Sequence, residues 1–158
     1  LGDVYKRQVI SEKKTRDILK RLKFDNNTTN GVSKLVLIHD MKSPRDKIQA
    51  KKMMCSLGDE TYLNLIKIKR ADNRAKADPH AIDEKLKNMR SFYEEIKINN
   101  ECYNLKSLAV NGDDIKAFGI AEGKEIKSSL DFLLNGVIEG KCQNRKDVLL
   151  EYLKENTK

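Results

Sequence analysis

Apolar residues recur along this chain at intervals of three and four, and that period predicts helices almost from end to end. Ile18, Leu19 and Leu22 mark the inner face of a first helix, which Ser11 would cap. Lys13, Lys14, Arg16, Lys20, Arg21 and Lys23 surround that face. Residues 26–31 read as a polar loop, followed by a second helix over about residues 32–41 with Leu35, Val36 and Ile38 inward. Ser43-Pro44 restarts the helical pattern, with Asp46 near its positive end. Gly58 stops it. Asp59 opens a helix running to about Lys76, with Tyr62, Leu65 and Ile66 in a broad apolar stripe. Asp78-Pro79 begins another, where Leu86, Met89, Phe92, Tyr93 and Ile96 share one face, and Asn99-Asn100 breaks it.

Past residue 100 the texture changes to short elements separated by glycines. The pattern predicts a short segment at 107–110, a helix from Asp113 to Phe118 and a longer one from Gly123 to Ile138. A last helix, capped by Asn144, carries Val148, Leu149, Leu150 and Leu153. The expected fold is therefore all-α.

Composition narrows the class. The chain has 158 residues, 39% of them apolar and 35% charged, with only 8 Gly and 2 Pro, which excludes a disordered or collagen-like chain. No run approaches the ~20 apolar residues of a membrane helix, and no secretory signal core stands near the start. Cys55, Cys102 and Cys142 form no metal-ligand spacing and read as reduced thiols, which places the chain in the cytoplasm. The net charge of +8 favours polyanionic partners.

Residues 1–8 stand apart. Asp3-Val4-Tyr5-Lys6-Arg7-Gln8 can be read back as GAT-GTG-TAT-AAG-AGA-CAG, which resembles the end of a transposon adapter used in sequencing libraries, and the chain opens on Leu1. The expectation is that 1–8 are adapter-derived and are joined to a truncated reading frame. Without them the balance stays basic.

Two sets of residues carry candidate chemistry. His39-Asp40 is a dyad of the kind that ligates metal in HD-type phosphohydrolases, with Asp72 as a formal further ligand and His80 the only other histidine. It lacks the rest of a metal shell. The basic residues are the stronger candidates. Lys67, Arg70 and Arg74 fall on one helix face, with Lys76 beside them. Lys124 and Lys127 share another face, and Arg145 and Lys146 begin the last helix. Such cations hold RNA through its phosphates without reading bases. The aromatic residues Tyr62, Phe92 and Tyr93 follow the core stripe and are expected to pack rather than stack on bases.

Leu105-Lys106-Ser107-Leu108-Ala109-Val110-Asn111-Gly112-Asp113-Asp114-Ile115, then Gly119-Ile120-Ala121-Glu122-Gly123, Gly140 and Asn144-Arg145, resembles the C-terminal part of bacterial CCA-adding tRNA nucleotidyltransferases. Leu35-Val36-Leu37-Ile38-His39-Asp40 and Leu57 to Leu63 resemble that family's HD-related helical body. The resemblance implies a body at 9–98 and a small helical tail at 99–158. The parent enzyme would add or repair the 3′ CCA end of tRNA with CTP, ATP and Mg²⁺. Its catalytic head and nucleotide-selecting neck would lie upstream, so no catalytic residue and no cofactor is carried over to this chain. The partner implied is tRNA, gripped at its outer elbow. Where the family has Gly-Pro and a second Gly after the Gly-Ile turn, this chain has Lys124 and Lys127, which would meet phosphate instead. Two other readings stand beside this one: a metal phosphohydrolase using His39-Asp40, and a helical protein-interaction module. The oligomeric state stays open.

Overall fold

A computed structural model of the chain describes residues 2–74, 80–121 and 123–156, and the side chains of all of these but 2–6, 74 and 80–83. The described residues are all-α: α1 (Gly2–Arg21), α2 (Asn26–Ile38), α3 (Lys47–Leu57), α4 (Asp59–Arg74), α5 (His80–Ile98), a 3₁₀ turn (Leu105–Ser107), α6 (Gly112–Ala117), α7 (Gly123–Ile138) and α8 (Lys146–Asn156). They form two compact units. One takes residues 1–43 and 57–90, the other 44–56 and 91–158. The sequence pattern divides the chain at 98/99; the contacts divide it inside α5, between Arg90 and Ser91, and give 44–56 to the second unit.

In the first unit the helix starts differ from the sequence expectation. Ser11 lies inside α1, where its carbonyl accepts a bond from the Thr15 hydroxyl (2.8 Å). Residues 26–31 are helical, not loop. Asp25 is the cap of α2: its carboxylate accepts the Thr28 backbone N–H (2.9 Å) and the Thr28 hydroxyl. These two bonds hold the Asp25 carboxyl below its ordinary range. Cap and packing outweigh the poor helix propensity of Asn-Asn-Thr-Thr-Asn-Gly. Tyr62, Leu65, Leu86 and Met89 are fully buried, and the Tyr62 hydroxyl donates to the Met89 carbonyl at 3.0 Å. Burial pushes that phenol up to about 12. Ile18 and Leu22 of α1, expected inside, are exposed. Gly58 ends α3 at φ +80°, and its carbonyl also accepts the first bond of α4, from Tyr62 N–H. The expected fifth-helix start at Asp78-Pro79 lies outside the described residues.

The second unit is built around Ile115, Ile126, Leu133, Leu134, Leu149 and Leu153, all buried in one cluster. Its α3 begins at Lys47, after Ser43-Pro44, because Asp46 takes the cap and its carboxylate accepts Gln49 N–H (2.7 Å). Ion pairs fasten α3 in place: Lys47 to Glu95 (2.6 Å) and Glu101 (2.9 Å), Lys51 to Glu101 (2.6 Å), and Lys52 to Glu139 (2.6 Å). Chain reversals use left-handed residues. Asn100 closes α5 and Gly119 closes α6 with paired bonds back to the last turn, Glu101 N–H to Ile96 and Ile120 N–H to Ile115. Gly119, at φ +110°, takes a conformation that a side chain would strain.

Asn144 does not cap α8 as the sequence suggests. Its amide reaches the loop before α6 instead, accepting Ala109 N–H and donating to the Ser107 carbonyl, both at 2.8 Å. The Arg145 carbonyl accepts the first bond of α8 in its place. Asn144→Ala removes both bonds and is expected to cost about 1–2 kcal/mol. Thermal melts of the two proteins check this, and equal midpoints contradict it.

Glu139 contributes to the acid sensitivity of the second unit. Hydrogen bonds from Lys141 (2.6 Å) and Lys52 bring its carboxyl down to about 2. A carboxyl depressed on folding contributes stability above its unfolded value, near 4.3, and loses it as pH falls through the folded value. Glu139→Gln is therefore expected to flatten the fall of melting temperature between about pH 4.5 and 2. Parallel acid profiles for the two proteins contradict the pairing.

Candidate nucleic-acid interface

Each unit presents its own set of cations. On α4, burial of Tyr62, Leu65, Ile66 and Asn73 turns the opposite arc outward, and Lys67 and Arg70 are exposed there, one turn apart. Lys67 Nζ donates to Asn64 Oδ1 at 3.2 Å, and Arg70 makes no ion pair with a described residue. Arg74 closes α4, its side chain outside the description, and Lys76 lies outside the described residues. Lys69 is not part of this arc, since its ammonium donates to the Met41 carbonyl at 2.6 Å.

In the second unit Ile126, Leu133 and Leu134 bury one side of α7. Lys124 and Lys127 project from its first turns on the other side, exposed and without an ion pair to a described residue. The two cations beginning α8 are placed differently. Arg145 pairs with Asp147 of the same turn and holds that carboxyl low. Lys146 pairs with Asp114, whose carboxylate also accepts Asn111 N–H in the capping box of α6. The Lys146 bond, then the Asn111 bond, keep Asp114 below its usual range. Lys124 and Lys127 therefore offer charge to a partner at no cost, whereas Arg145 and Lys146 must first give up a carboxylate.

Two features stand outside the residues that spacing singles out. Lys13, Lys14, Lys20, Arg21 and Lys23 are exposed along α1 and make no ion pair with a described residue, while Arg16 is bonded to Glu12 and Asn30. Their sequence signal is a dense Lys/Arg run, which by itself fits a solvated helix surround equally well. The Asn144 bridge had no local signal, as its partners are 35 and 37 residues away.

The acidic and histidine candidates are engaged in local structure. His39 Nδ1 lies 2.6 Å from the Val36 carbonyl, and Nε2 lies 3.4 Å from Asp40 Oδ1. Asp40 also accepts a long bond from Gln8 (3.5 Å). Asp113 pairs with Lys116, and Asp114 is committed to its cap and to Lys146. Among the described residues no group of three or more His, Cys, Asp or Glu is placed to hold a metal ion. Among the described residues, too, no helix is long and apolar enough to cross a membrane.

The described residues are all-α, and each of the two units exposes a set of cations. The comparison with known families is specific: the model of tRNA nucleotidyltransferase domain 2 matches residues 6–153. The chain belongs to that family, and the match runs over nearly its whole length. No curated protein and no solved structure matches it.

Proposed function

We propose that this chain is the tRNA-holding part of a CCA-adding enzyme, a fragment that grips the outer elbow of tRNA. The match to tRNA nucleotidyltransferase domain 2 over residues 6–153 is the observation that supports this reading. The division of labour follows from the residues. Arg70, Lys124 and Lys127 offer uncommitted positive charge, suited to phosphates held by position rather than sequence. Asp113 and Asp114 are spent on an ion pair and a helix cap, and on this reading the chain supplies grip and spacing while the transfer step belongs elsewhere. Mg²⁺, CTP and ATP belong to carboxylates outside this chain, in a domain acting on the 3′ end in the cytoplasm. His39 and Asp40 act as a helix end and its solvated neighbour.

Hydroxyl-radical footprinting of tRNA with the chain tests the elbow assignment. Protection of the outer elbow backbone, with the 3′ end left open, is the expected result. Protection confined to the acceptor end, or none, contradicts it.

A further inference from the structure

α7 carries one side chain out of keeping with its exposed side. Phe132 is 38% exposed, while the adjacent Leu133 and Leu134 are buried. Along the helix it shares that side with Lys124 and Ser128, at intervals of four residues. The ring is held flat. Tyr152 of α8 stacks on it, with centroids 5.3 Å apart and planes 7° from parallel. Gly136, one turn further along α7, makes room for that stack: a Cβ there would lie 2.9 Å from Tyr152 Cε1 and 3.1 Å from Cys142 Sγ. Phe132 is thus backed by a second ring and open to solvent over more than a third of its surface.

The surroundings say what would cover it. Lys124 precedes Phe132 by eight residues, about 12 Å along the axis. Neither Lys124 nor Lys127 is paired with a described residue. A supported aromatic surface next to free cations is the combination that holds single-stranded RNA, with bases on the ring and phosphates on the lysines. An apolar peptide would want an apolar rim, and the residues nearest Phe132 along α7 are polar: Ser128 and Asn135, both exposed, and Asp131, half-buried.

We propose that the Phe132–Tyr152 stack is a platform for an unpaired nucleobase of the bound RNA, with Lys124 and Lys127 holding phosphates of the same strand. This rests on the tRNA reading above and adds a base contact to it.

The test titrates the full chain, Phe132→Leu and Phe132→Trp against intact tRNA, each across a salt series. Stacking is worth about tenfold in affinity. Phe132→Leu should lose that much with an unchanged salt slope, because no phosphate contact is removed. Phe132→Trp should stay within about twofold of the parent, since it keeps a flat ring. If Phe132→Leu binds as tightly as the parent, the platform is overturned and the tRNA reading stands. An equal loss in both variants also overturns it, since that reports packing and not a ring. If the unaltered chain binds no tRNA, both readings fall together.

Discussion

Gly136→Val is expected to destabilise the second unit by about 3 kcal/mol, the upper end of the ordinary cost of overpacking. The cause is a close approach of helices and not backbone strain. Any Cβ at 136 enters the space of the Tyr152 ring and the Cys142 sulfur. The ring has little room to yield, because it is sandwiched against Phe132. Valine adds two γ carbons beyond that Cβ and gains less helix propensity over glycine than alanine would. For a unit of this size the loss corresponds to a fall in melting temperature on the order of 15 °C. A thermal melt followed by circular dichroism checks this. A midpoint within a few degrees of the parent would mean that α7 and α8 do not meet as described.

Lys124→Glu together with Lys127→Glu should weaken tRNA binding by about ten- to a hundredfold at moderate salt, through lost counterion release and new repulsion. The salt slope should fall by about 1.4–1.8, since each phosphate contact accounts for roughly 0.7–0.9. The fold should survive, because both side chains are exposed and make no ion pair with a described residue. Arg145→Glu makes an informative comparison. That residue is already paired with Asp147, so its loss of affinity should be smaller. Equal effects at the free and the paired cations would contradict the distinction drawn between them.

The helices whose limits were legible are those in which period and punctuation agree. α7 runs from Gly123 to Ile138, as its apolar spacing and flanking glycines indicate, and α5 stops at Ile98 before Asn99-Asn100. The starts of α1, α2 and α3 were not legible. A Ser, Asx or Pro announces a cap only when the chain before it leaves the helix, and at Ser11 it does not. At α2 the poor helix formers concealed an Asp25 cap one residue upstream of them. Periodicity grouped Ile18 with Leu22 correctly on one face but carried no information on what covers that face, and both are exposed. For the candidate interface, spacing grouped Lys67 with Arg70 on α4 and Lys124 with Lys127 on α7, and these four are exposed. It could not show that Arg145 and Lys146 are engaged with Asp147 and Asp114, the second of which lies 32 residues away.

The central claim, that this chain grips tRNA by its shape and phosphates, is tested most directly by equilibrium binding to intact tRNA and to an RNA hairpin of equal length. Both are titrated between about 50 and 200 mM salt, the range over which counterion release is read. The account predicts tighter binding to tRNA at every salt, with affinity falling steeply as salt rises. Equal and weak binding to the two RNAs would contradict it, leaving a generic basic surface in place of an elbow-gripping one.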